Sequence, residues 1–275
     1  MPSNREAYFE ALRLDIPKSV IEFALQEVNC FSSLDLTKNF DEEIKDYPLF
    51  LNAIKRYQNG EMIEYIFNKS YFLSNPFIVN KNVLIPRQET EQLVLRTIEI
   101  IKEMFDDKQI TIADVCTGSG CIGISIAKSL PNNKYYLTDI SESALKVAKQ
   151  NIDALLSHGT AISTLKGDML EPLKNKKVDV IVCNPPYIEN VEGIDKKTWE
   201  QEPHLALLAK PSTLYYEKVL EDYSSIAEEK CLLAFEIGED MEDSLTELVK
   251  KYCPKSTYFF EKDIYGKTRF LFIKQ

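Results

Sequence analysis

The stretch of sequence that decides the fold is ITIADVCTGSGCIGISIAKS, residues 110–129. Its first part, Ile110–Cys116, is a short apolar run typical of a buried strand, and its last part, Cys121–Ser129, is typical of a helix. Three of the chain's nine glycines lie within residues 118–123, where the two parts meet. Glycine allows tight turns and lets the backbone approach a ligand closely. A strand, a glycine-rich turn and a helix in this order predict the start of a parallel sheet with a ligand-binding loop at its edge.

The rest of the chain beyond this stretch also alternates between short apolar runs and helical patterns. The further strands that we predict are Lys134–Ile140, Ile162–Gly167, Val178–Cys183, Cys231–Ile237, Thr257–Glu261 and Arg269–Ile273. The helices predicted around them are Thr90–Phe105, Glu142–Leu155, Leu214–Ala227 and Met241–Tyr252, and Pro76–Ile85 has strand character. Near-continuous apolar strands separated by helices indicate a mostly parallel, seven-stranded α/β sheet that is covered on both faces. Because no helix separates the last two strands, the sheet should end in an antiparallel hairpin.

The N-terminal part of the chain has a different pattern, which predicts a small helical bundle. Ser3 and Glu6 have the spacing of a capping box at the start of a first helix. Two further short helices are predicted over Asp41–Tyr57 and Glu61–Asn68. We therefore expect two domains, a helical one over residues 1–72 and a larger one with the sheet over residues 73–275.

The composition of the chain limits its partners and its compartment. Its 33 basic and 43 acidic side chains give a net charge of −10. This charge argues against an extended nucleic-acid surface, because such surfaces cluster Lys and Arg. No apolar run approaches the roughly 20 residues that span a membrane, and the first ten residues lack the features of a signal peptide. With six cysteines but no C-x-x-C pair, and only two histidines, we predict a cytoplasmic protein with reduced cysteines, no metal site and no membrane contact.

The end of the next predicted strand adds a candidate cofactor ligand. Asp139 lies there, where a carboxylate can accept hydrogen bonds from both hydroxyls of a ribose. The spacing Gly118-x-Gly120-x-x-Gly123 fits a dinucleotide-binding loop, and a plain tight turn is an alternative explanation for it. Nicotinamide cofactors and S-adenosylmethionine share the adenosine ribose. The loop and Asp139 together therefore indicate an adenosine-type cofactor without deciding between these two.

The segment Asn184-Pro185-Pro186-Tyr187 follows the predicted strand Val178–Cys183. Two prolines fix the backbone and remove two N–H donors, so this edge presents acceptors, namely the side-chain oxygen of Asn184 and the carbonyl of Pro185. Such acceptors suit an –NH2 group on a planar system, and Tyr187 can pack flat against that plane. The segment therefore predicts a site that turns a planar amino or amide nitrogen toward the cofactor and catalyses methyl transfer by positioning.

These features together resemble the amino-methyltransferases, which act on the exocyclic nitrogen of adenine or on a glutamine amide. Two further segments narrow the resemblance to the HemK-type release factor glutamine methyltransferases. They are Leu84-Ile85-Pro86-Arg87-Gln88-Glu89-Thr90-Glu91 and Glu202-Pro203-His204-Leu205-Ala206-Leu207. The similarity spans residues 61–275. In two places the chain departs from the family: Gln88 stands where proline is usual, and Ala209–Thr213 replaces a glycine-containing stretch.

The resemblance implies a fold, a cofactor and a substrate. The fold is a Rossmann-like S-adenosylmethionine-dependent methyltransferase domain, and the substrate is the glutamine in the Gly-Gly-Gln loop of a peptide chain release factor, which the N-terminal helices would contact. The implied cofactor-binding residues are Thr117, Gly118 and Gly120 at the methionine end, Asp139 at the ribose, Asp168 and Met169 at the adenine, and Asn184. The implied catalytic residues are Asn184, Pro185 and Tyr187, and the implied substrate-binding residues are these three with Pro186, Arg87 and Glu89.

Three other functions stay open on the sequence. An adenine-N6 methyltransferase that acts on DNA or RNA shares Asn-Pro-Pro-Tyr, but it should bring a basic groove or a target-recognition domain. A glutamine methyltransferase that acts on a ribosomal protein is closer still. A non-catalytic S-adenosylmethionine-binding scaffold belongs to another class, and an assay of cofactor binding and methyl transfer separates it from the enzymes.

The segment that follows Tyr187 is expected to move. Ile188–Glu202 carries seven charged side chains among fifteen residues, a composition that resists burial. Loops of this length in compact domains are usually functional or disordered. We therefore expect a mobile loop that orders when the substrate binds.

Overall fold

The computed structural model describes residues 1–106 and 108–275. The protein divides into two compact units, Met1–Lys69 and Ser70–Gln275. This division falls three residues before the boundary at 72/73 that the sequence pattern suggested.

The first unit is a bundle of helices with its own apolar core. Its helices are α1 (Asn4–Leu12), α2 (Lys18–Asn29), α3 (Ser33–Lys38), α4 (Tyr47–Gln58) and α5 (Ile63–Phe67). The predicted capping box is confirmed, since the Ser3 hydroxyl accepts from the backbone N–H of Glu6 and the Glu6 carboxylate accepts from that of Ser3. Ile21, Leu25 and Phe50 are among the side chains that fill the core.

Two of the predicted helices in this unit are shorter than expected. The helix predicted over Asp41–Tyr57 begins only at Tyr47, because the Asp46 side chain accepts from the N–H of Leu49 at 2.9 Å and caps it there. A proline follows in the first turn of this helix, where its missing N–H is not needed. The helix predicted over residues 61–68 ends at Phe67, since the next residue has a φ of 52°, a left-handed conformation that ends helices.

A two-stranded hairpin follows α5, formed by β1 (Lys69–Phe72) and β2 (Asn75–Ile78). The strand character predicted over Pro76–Ile85 is therefore wrong beyond Ile78. The chain turns at Asn80, whose carbonyl accepts from the N–H of Val83 and whose side chain accepts from that of Asn82. Asparagine commonly bonds to nearby backbone in this way and so favours a turn over a strand.

The sheet of the second unit has the predicted order of strands and helices. Within the described residues its strands are β3 (Thr111–Val115), β4 (Lys134–Asp139), β5 (Ala161–Lys166), β6 (Val178–Cys183), β7 (Ala227–Glu236), β8 (Thr257–Lys262) and β9 (Thr268–Lys274). The helices are α6 (Gln88–Phe105), α7 (Cys121–Ser129), α8 (Glu142–Leu155), α9 (Lys196–Gln201), α10 (Leu214–Ile226) and α11 (Glu242–Tyr252). The strands lie in the order β5-β4-β3-β6-β7-β9-β8. The first five are parallel and the last two form an antiparallel hairpin, so the predicted seven-stranded sheet is confirmed.

Both faces of the sheet are covered, as nearly continuous apolar strands require. Alternate residues of β6 point to opposite faces. Ile181 and Cys183 belong to the core shared with α10 and α11, whereas Val180 and Val182 belong to the core shared with α6 and α7. All four side chains are fully buried. Because the strands are apolar along their length, the polar residues of a site are left to the strand ends.

The register of the parallel strands brings three chain segments to one edge of the sheet. Val115, the last residue of β3, pairs with Thr138 of β4 on one side and with Cys183 of β6 on the other. The glycine loop, Asp139 and Asn184 directly follow these three residues in the chain. They therefore meet at the carboxyl edge, which is the usual place of a ligand in such sheets.

The placement of several side-chain types bears on the expectations from composition. The six cysteines are free thiols, with Cys30 exposed, Cys116 half-buried and the other four buried. Within residues 1–106 and 108–275, no three His, Cys, Asp or Glu side chains gather as a metal site would require. No helix in that part of the chain combines the length and the apolarity needed to cross a membrane.

Candidate active site

The loop between β3 and α7 takes a conformation that needs glycine at two positions. Gly118 and Gly120 have φ values of 54° and 85°, which other residues rarely adopt. A Cβ atom at Gly120 would lie 2.8 Å from Cδ1 of Ile124, so this glycine also lets α7 pack closely behind the loop. A Cβ atom at Gly118 would meet no described atom within 4 Å. Gly118 therefore lies on the open side of the loop and lines a cleft, whereas Gly120 shapes the loop without lining the cleft.

Asp114, a buried residue near the end of β3, holds this loop from behind. Its Oδ2 accepts a hydrogen bond from the Thr117 hydroxyl at 2.6 Å and one from the N–H of Gly123 at 2.9 Å. Burial raises the pKa of Asp114 to about 7, although these two bonds act in the opposite direction. No role was predicted for Asp114 from the sequence. A carboxylate inside an apolar strand was the signal that could have revealed one.

Asp139 ends β4 and lies on the cleft wall beside the loop. Its Oδ2 accepts from the N–H of Gly118 at 2.9 Å, and its Oδ1 accepts from the N–H of Ser141 at 2.8 Å. Burial raises the pKa of Asp139 above its usual value, and the bonds from backbone N–H groups oppose that shift. Because a carboxylate oxygen has two lone pairs, each oxygen of Asp139 can still accept a hydrogen from a ligand hydroxyl.

Asp168 and Met169 follow β5 and also line the cleft. The Asp168 carboxylate is bound to the ammonium group of Lys218 from α10, with 2.7 Å between Oδ2 and Nζ. That ammonium group also lies 5.5 Å from the ring centre of Tyr215. The Met169 sulfur lies 3.6 Å from the thiol of Cys116. This part of the cleft thus places a carboxylate beside aromatic and sulfur atoms, a combination that suits a heterocycle with an amino group.

Asn184 lies half-buried on the cleft wall, directly after β6. Its Nδ2 donates to the hydroxyl oxygen of Thr90 at 3.3 Å, and that hydroxyl donates to Oε2 of Glu236 at 2.6 Å. Thr90 and Glu236 are both buried, with 3% and 4% of their surface exposed. Neither residue is among those predicted from the sequence. They lie on α6 and at the end of β7, 146 positions apart in the chain, so no local spacing could have joined them.

Four of the residues implied by the family resemblance do not line the cleft, and these are Gly120, Glu89, Pro185 and Tyr187. Pro185 is buried, while Pro186 reaches the cleft wall. The ring of Tyr187 packs behind the wall, next to Gly238. A Cβ atom built on Gly238 would lie 3.4 Å from that ring. Burial raises the pKa of Tyr187 to about 12. The half-buried Tyr187 side chain packs against the core, and its contact with a planar substrate stays a prediction.

Comparison with known proteins identifies the family of the chain. The Methyltransferase small domain family matches residues 93–201. The release factor glutamine methyltransferase of Bacillus cereus is 34% identical over 91% of this chain and 90% of its own length. That of Flavobacterium psychrophilum is 39% identical over 92% and 90%, and that of Mycoplasma mycoides is 40% identical over 77% and 76%. The chain belongs to the release factor glutamine methyltransferase family.

Solved structures with low sequence identity share the fold of this release factor glutamine methyltransferase family member. A methyltransferase from Pyrococcus furiosus has a TM-score of 0.52 and 17% identity, and the match covers 81% of this chain and 97% of that one. A human methyltransferase 10 domain containing protein has a TM-score of 0.51 and 18% identity, over 72% and 87%. The Rossmann-like methyltransferase fold is thus confirmed.

An ion pair joins the two signature segments of this family member. The carboxylate of Glu202 accepts from the guanidinium group of Arg87 and from the N–H of Ile85 at 3.1 Å, and its side chain is fully buried. This ion pair holds the two signature segments together at the cleft. Both contribute to its wall, the first with Leu84, Pro86 and Arg87 and the second with Pro203, Leu205 and Ala206.

The segment Ile188–Glu202, expected to be a mobile loop, contains regular structure. It includes the 3-10 turn Val191–Gly193 and the helix α9, which the Asp195 side chain caps. Its last residue is held by the ion pair with Arg87. The charge count alone predicted a solvated loop, because it could not show that one of the seven charged side chains, that of Glu202, is buried and paired with Arg87.

The cleft formed by these segments has about 1040 Å³ of empty space, open mouth included. It brings together eight of the predicted site residues, namely Arg87, Thr117, Gly118, Asp139, Asp168, Met169, Asn184 and Pro186. Ile140 adds an apolar side chain that is 50% exposed. Ile140 is not among the residues predicted from the sequence, although its position directly after Asp139 was the available signal. The residues present fit an adenosine-type ligand, with acceptors at Asp139 and Asp168 and apolar surface between them.

Proposed function

We propose that this enzyme transfers the methyl group of S-adenosylmethionine to the side-chain amide nitrogen of a glutamine in a peptide chain release factor. The observation that carries the proposal is the position of Asn184, an amide acceptor on the wall of a cleft that also holds Gly118 and Asp139. Relatives that are 34% and 39% identical over nine-tenths of the chain bear the corresponding name. A release factor as substrate implies that the enzyme acts in the cytoplasm.

The residues that would hold S-adenosylmethionine lie at the ends of β3, β4 and β5. When bound, this cofactor supplies an electrophilic methyl group on a sulfonium centre. Asp139 would accept the ribose hydroxyls through the lone pairs that its two backbone bonds leave free. Ile140 and Met169 would cover the faces of the adenine, and Asp168 lies where it can accept from the adenine amino group. Thr117 and Gly118 remain for the methionine end.

The site can orient a glutamine amide but offers no strong base. Cys116 and Cys121 line the cleft. Burial raises the pKa of Cys121 to about 12, and that thiol therefore stays protonated at neutral pH. Among the described residues that line the cleft there is no histidine.

Positioning is therefore the mechanism that the site supports. The Asn184 amino group donates to Thr90, which leaves its carbonyl oxygen to accept a hydrogen from the glutamine –NH2. This bond would hold the nitrogen in line with the methyl group and stabilise the positive charge that grows on the nitrogen during transfer. The proton can leave after transfer, when it is strongly acidic.

The helical unit, residues 1–69, is proposed to recruit the release factor. Leu34 and Leu49 expose 72% and 45% of their surface on this unit, and exposed apolar side chains can supply contact area to a partner. In the full-length enzyme, the double substitution Leu34→Ser and Leu49→Ser should raise KM for the intact factor and leave KM for a short Gly-Gly-Gln peptide unchanged. Leu95→Ser, at a residue of α6 that is 51% exposed, is the matched control. An unchanged KM for the intact factor in the double variant would contradict this role.

The proposed function is tested by supplying labelled S-adenosylmethionine with a panel of acceptors. The panel contains a release factor, the same factor with the loop glutamine replaced by alanine, ribosomal proteins, DNA and RNA. We expect label on the intact factor alone, with the added methyl located on the loop glutamine by mass spectrometry. Label on DNA or RNA would favour an adenine-N6 methyltransferase, and label only on a ribosomal protein would change the substrate. Cofactor binding without transfer to any acceptor would indicate a non-catalytic scaffold.

A further inference from the structure

We infer that Glu236 and Thr90 are positioning residues that set which end of the Asn184 side-chain amide faces the substrate. The inference rests on the proposed function, since it concerns the acceptor that would hold the glutamine. The three residues form a continuous chain of hydrogen bonds, 3.3 Å from Asn184 to Thr90 and 2.6 Å from Thr90 to Glu236. Asn184 is half-buried, whereas Thr90 and Glu236 are buried.

Which groups donate and which accept in this chain of hydrogen bonds follows from the number of hydrogens that they carry. An ionised carboxylate can only accept hydrogen bonds, so the single hydroxyl hydrogen of Thr90 must go to Glu236. The Thr90 oxygen is then left as an acceptor, and the group of Asn184 that faces it must be the –NH2. The carbonyl oxygen of Asn184 is thereby turned away from Thr90, as an acceptor for the substrate amide. A glutamine –NH2 is a donor, so this orientation is the one that can bind it.

Protonation of Glu236 would reverse this direction. A neutral carboxyl group can donate its hydrogen to the Thr90 oxygen, and the Thr90 hydroxyl is then free to donate to Asn184. The side chain of Asn184 would rotate to accept that bond, and its –NH2 would face the cleft. Two –NH2 groups cannot form a hydrogen bond through their donors, so the substrate amide would lose its acceptor.

The groups that face the Glu236 carboxylate decide where this change occurs. They are Arg269 of β9, Glu89 of α6, Tyr187 after β6, Tyr216 of α10 and Cys121 of α7. Burial raises the pKa of Glu236 to about 7. The hydrogen bond from Thr90, the charge of Arg269 and a hydrogen bond from the Asn184 side chain oppose the rise, and the charge of Glu89 adds to it. The carboxyl group therefore changes its charge near neutral pH, within the range where the enzyme can be assayed.

The first test is the pH profile of single-turnover methyl transfer at saturating cofactor and release factor. In the wild-type enzyme the rate should fall about tenfold from the plateau at one pH unit below the pKa, since about one molecule in ten is then ionised at Glu236. Glu236→Gln cannot ionise, so its profile should lose this acid limb. Its rate at the wild-type plateau should be lower by about 10- to 100-fold, by analogy with the loss of an outer hydrogen-bond partner that orients a metal ligand.

Substitutions at Thr90 test the hydroxyl link. Thr90→Val removes the hydroxyl and should slow transfer by a similar factor of about 10–100, without changing cofactor affinity. Thr90→Ser keeps a hydroxyl and should be much faster than Thr90→Val. Thr97→Val is the matched control, because Thr97 is a fully buried threonine of the same helix whose hydroxyl has no partner among the described residues.

A measurement that needs no activity separates this inference from the proposed function. In isotopically labelled protein, the side-chain –NH2 resonances of Asn184 should shift with pH around 7 in the wild-type enzyme and should stay constant in Glu236→Gln. Failure of the wild-type enzyme to methylate any release factor would overturn the proposed function alone. The inference is overturned if Glu236→Gln keeps the wild-type acid limb or resonance shift, if Thr90→Val is no slower than Thr97→Val, or if cofactor affinity falls in step with the rate.

Discussion

Arg87 and Glu202, 115 residues apart in the chain, form an ion pair in which the side chain of Glu202 is fully buried. The same carboxylate accepts from the backbone N–H of Ile85. The pair therefore ties the segment before α6 to the segment after α9, and both segments contribute to the cleft wall.

Loss of Arg87 should destabilise the enzyme. Arg87→Ala leaves a buried carboxylate without its charged partner, a change that costs about 3–5 kcal/mol for fully buried pairs. Because 36% of the Arg87 side chain is exposed, we expect a decrease in the free energy of unfolding near the lower end of that range, measured by urea denaturation. The control is Arg5→Ala, whose partner Asp41 is 76% exposed, so that its loss should change the free energy of unfolding much less. Equal decreases in the free energy of unfolding would show that the Arg87–Glu202 pair stabilises the fold no more than an exposed ion pair does.

Asn184→Ala should abolish most catalysis and leave cofactor binding unchanged. The substitution removes the acceptor for the substrate amide, and loss of one preorganised contact of this kind costs about 10²–10³ in rate. Asn184 is half-buried and its side chain donates a long hydrogen bond of 3.3 Å to Thr90, so the fold should survive its loss. Single-turnover transfer to a release factor, with calorimetry of cofactor binding in parallel, measures both effects. Near-normal transfer would leave Asn-Pro-Pro-Tyr as a structural turn.

Asp139→Ala should weaken cofactor binding. The lost bond between a carboxylate and a ribose hydroxyl is worth about 1.5–3 kcal/mol, as is usual for hydrogen bonds to charged groups. Asp139 also accepts from the N–H groups of Gly118 and Ser141, so part of the loss comes from the loop itself. Asp139→Asn, which keeps one oxygen acceptor, should lose less affinity in calorimetry than Asp139→Ala. An unchanged affinity in the alanine variant would mean that the carboxylate serves only the loop.

Asp114→Asn should gain stability relative to the wild-type enzyme as the pH rises. Burial raises the pKa of Asp114 to about 7, so its protonated form stabilises the folded state below the unfolded pKa of ~3.9. That contribution is lost as the pH rises through about 7, by about 4 kcal/mol if the whole shift is realised. Asparagine can place its oxygen where Oδ2 accepts from Thr117 and Gly123, and it does not titrate. The difference in unfolding free energy between variant and wild type should therefore grow between about pH 4 and pH 7 and then level off, and a constant difference would contradict this origin.

Much of the fold could be predicted because its signals are local. The capping box at Ser3, the apolar run of β6 and the glycine loop after β3 each depend on residues within a few positions of one another. The predicted element bounds were wrong where a side chain bonds to nearby backbone, because the pattern of apolar residues does not include such contacts. Asn80 turns the chain inside a predicted strand, and Asp46 delays the start of α4.

The candidate site was predictable in part for the same reason. The glycine loop, Asp139 and Asn184 follow strands that could be recognised individually, and parallel strands bring their carboxyl ends to one edge. Their bonding partners were not predictable. Thr90 and Glu236 have no spacing that relates them to Asn184, and the place of Tyr187 behind the cleft wall depends on its packing near Gly238.

The sequence by itself determined the order of strands and helices, the residues at the strand ends and the family to which they belong, because periodicity, turns and caps are properties of neighbouring residues. Only the tertiary structure decided which of those residues face the cleft and which support it. The hydrogen bonds from Asn184 to Thr90 and from Thr90 to Glu236, and the pair of Arg87 with Glu202, each join positions 94 or more apart in the sequence. Such contacts form only after the register of the sheet and the packing of α6 have placed their backbones, and burial then gives Glu236 and Asp114 pKa values that no local pattern contains.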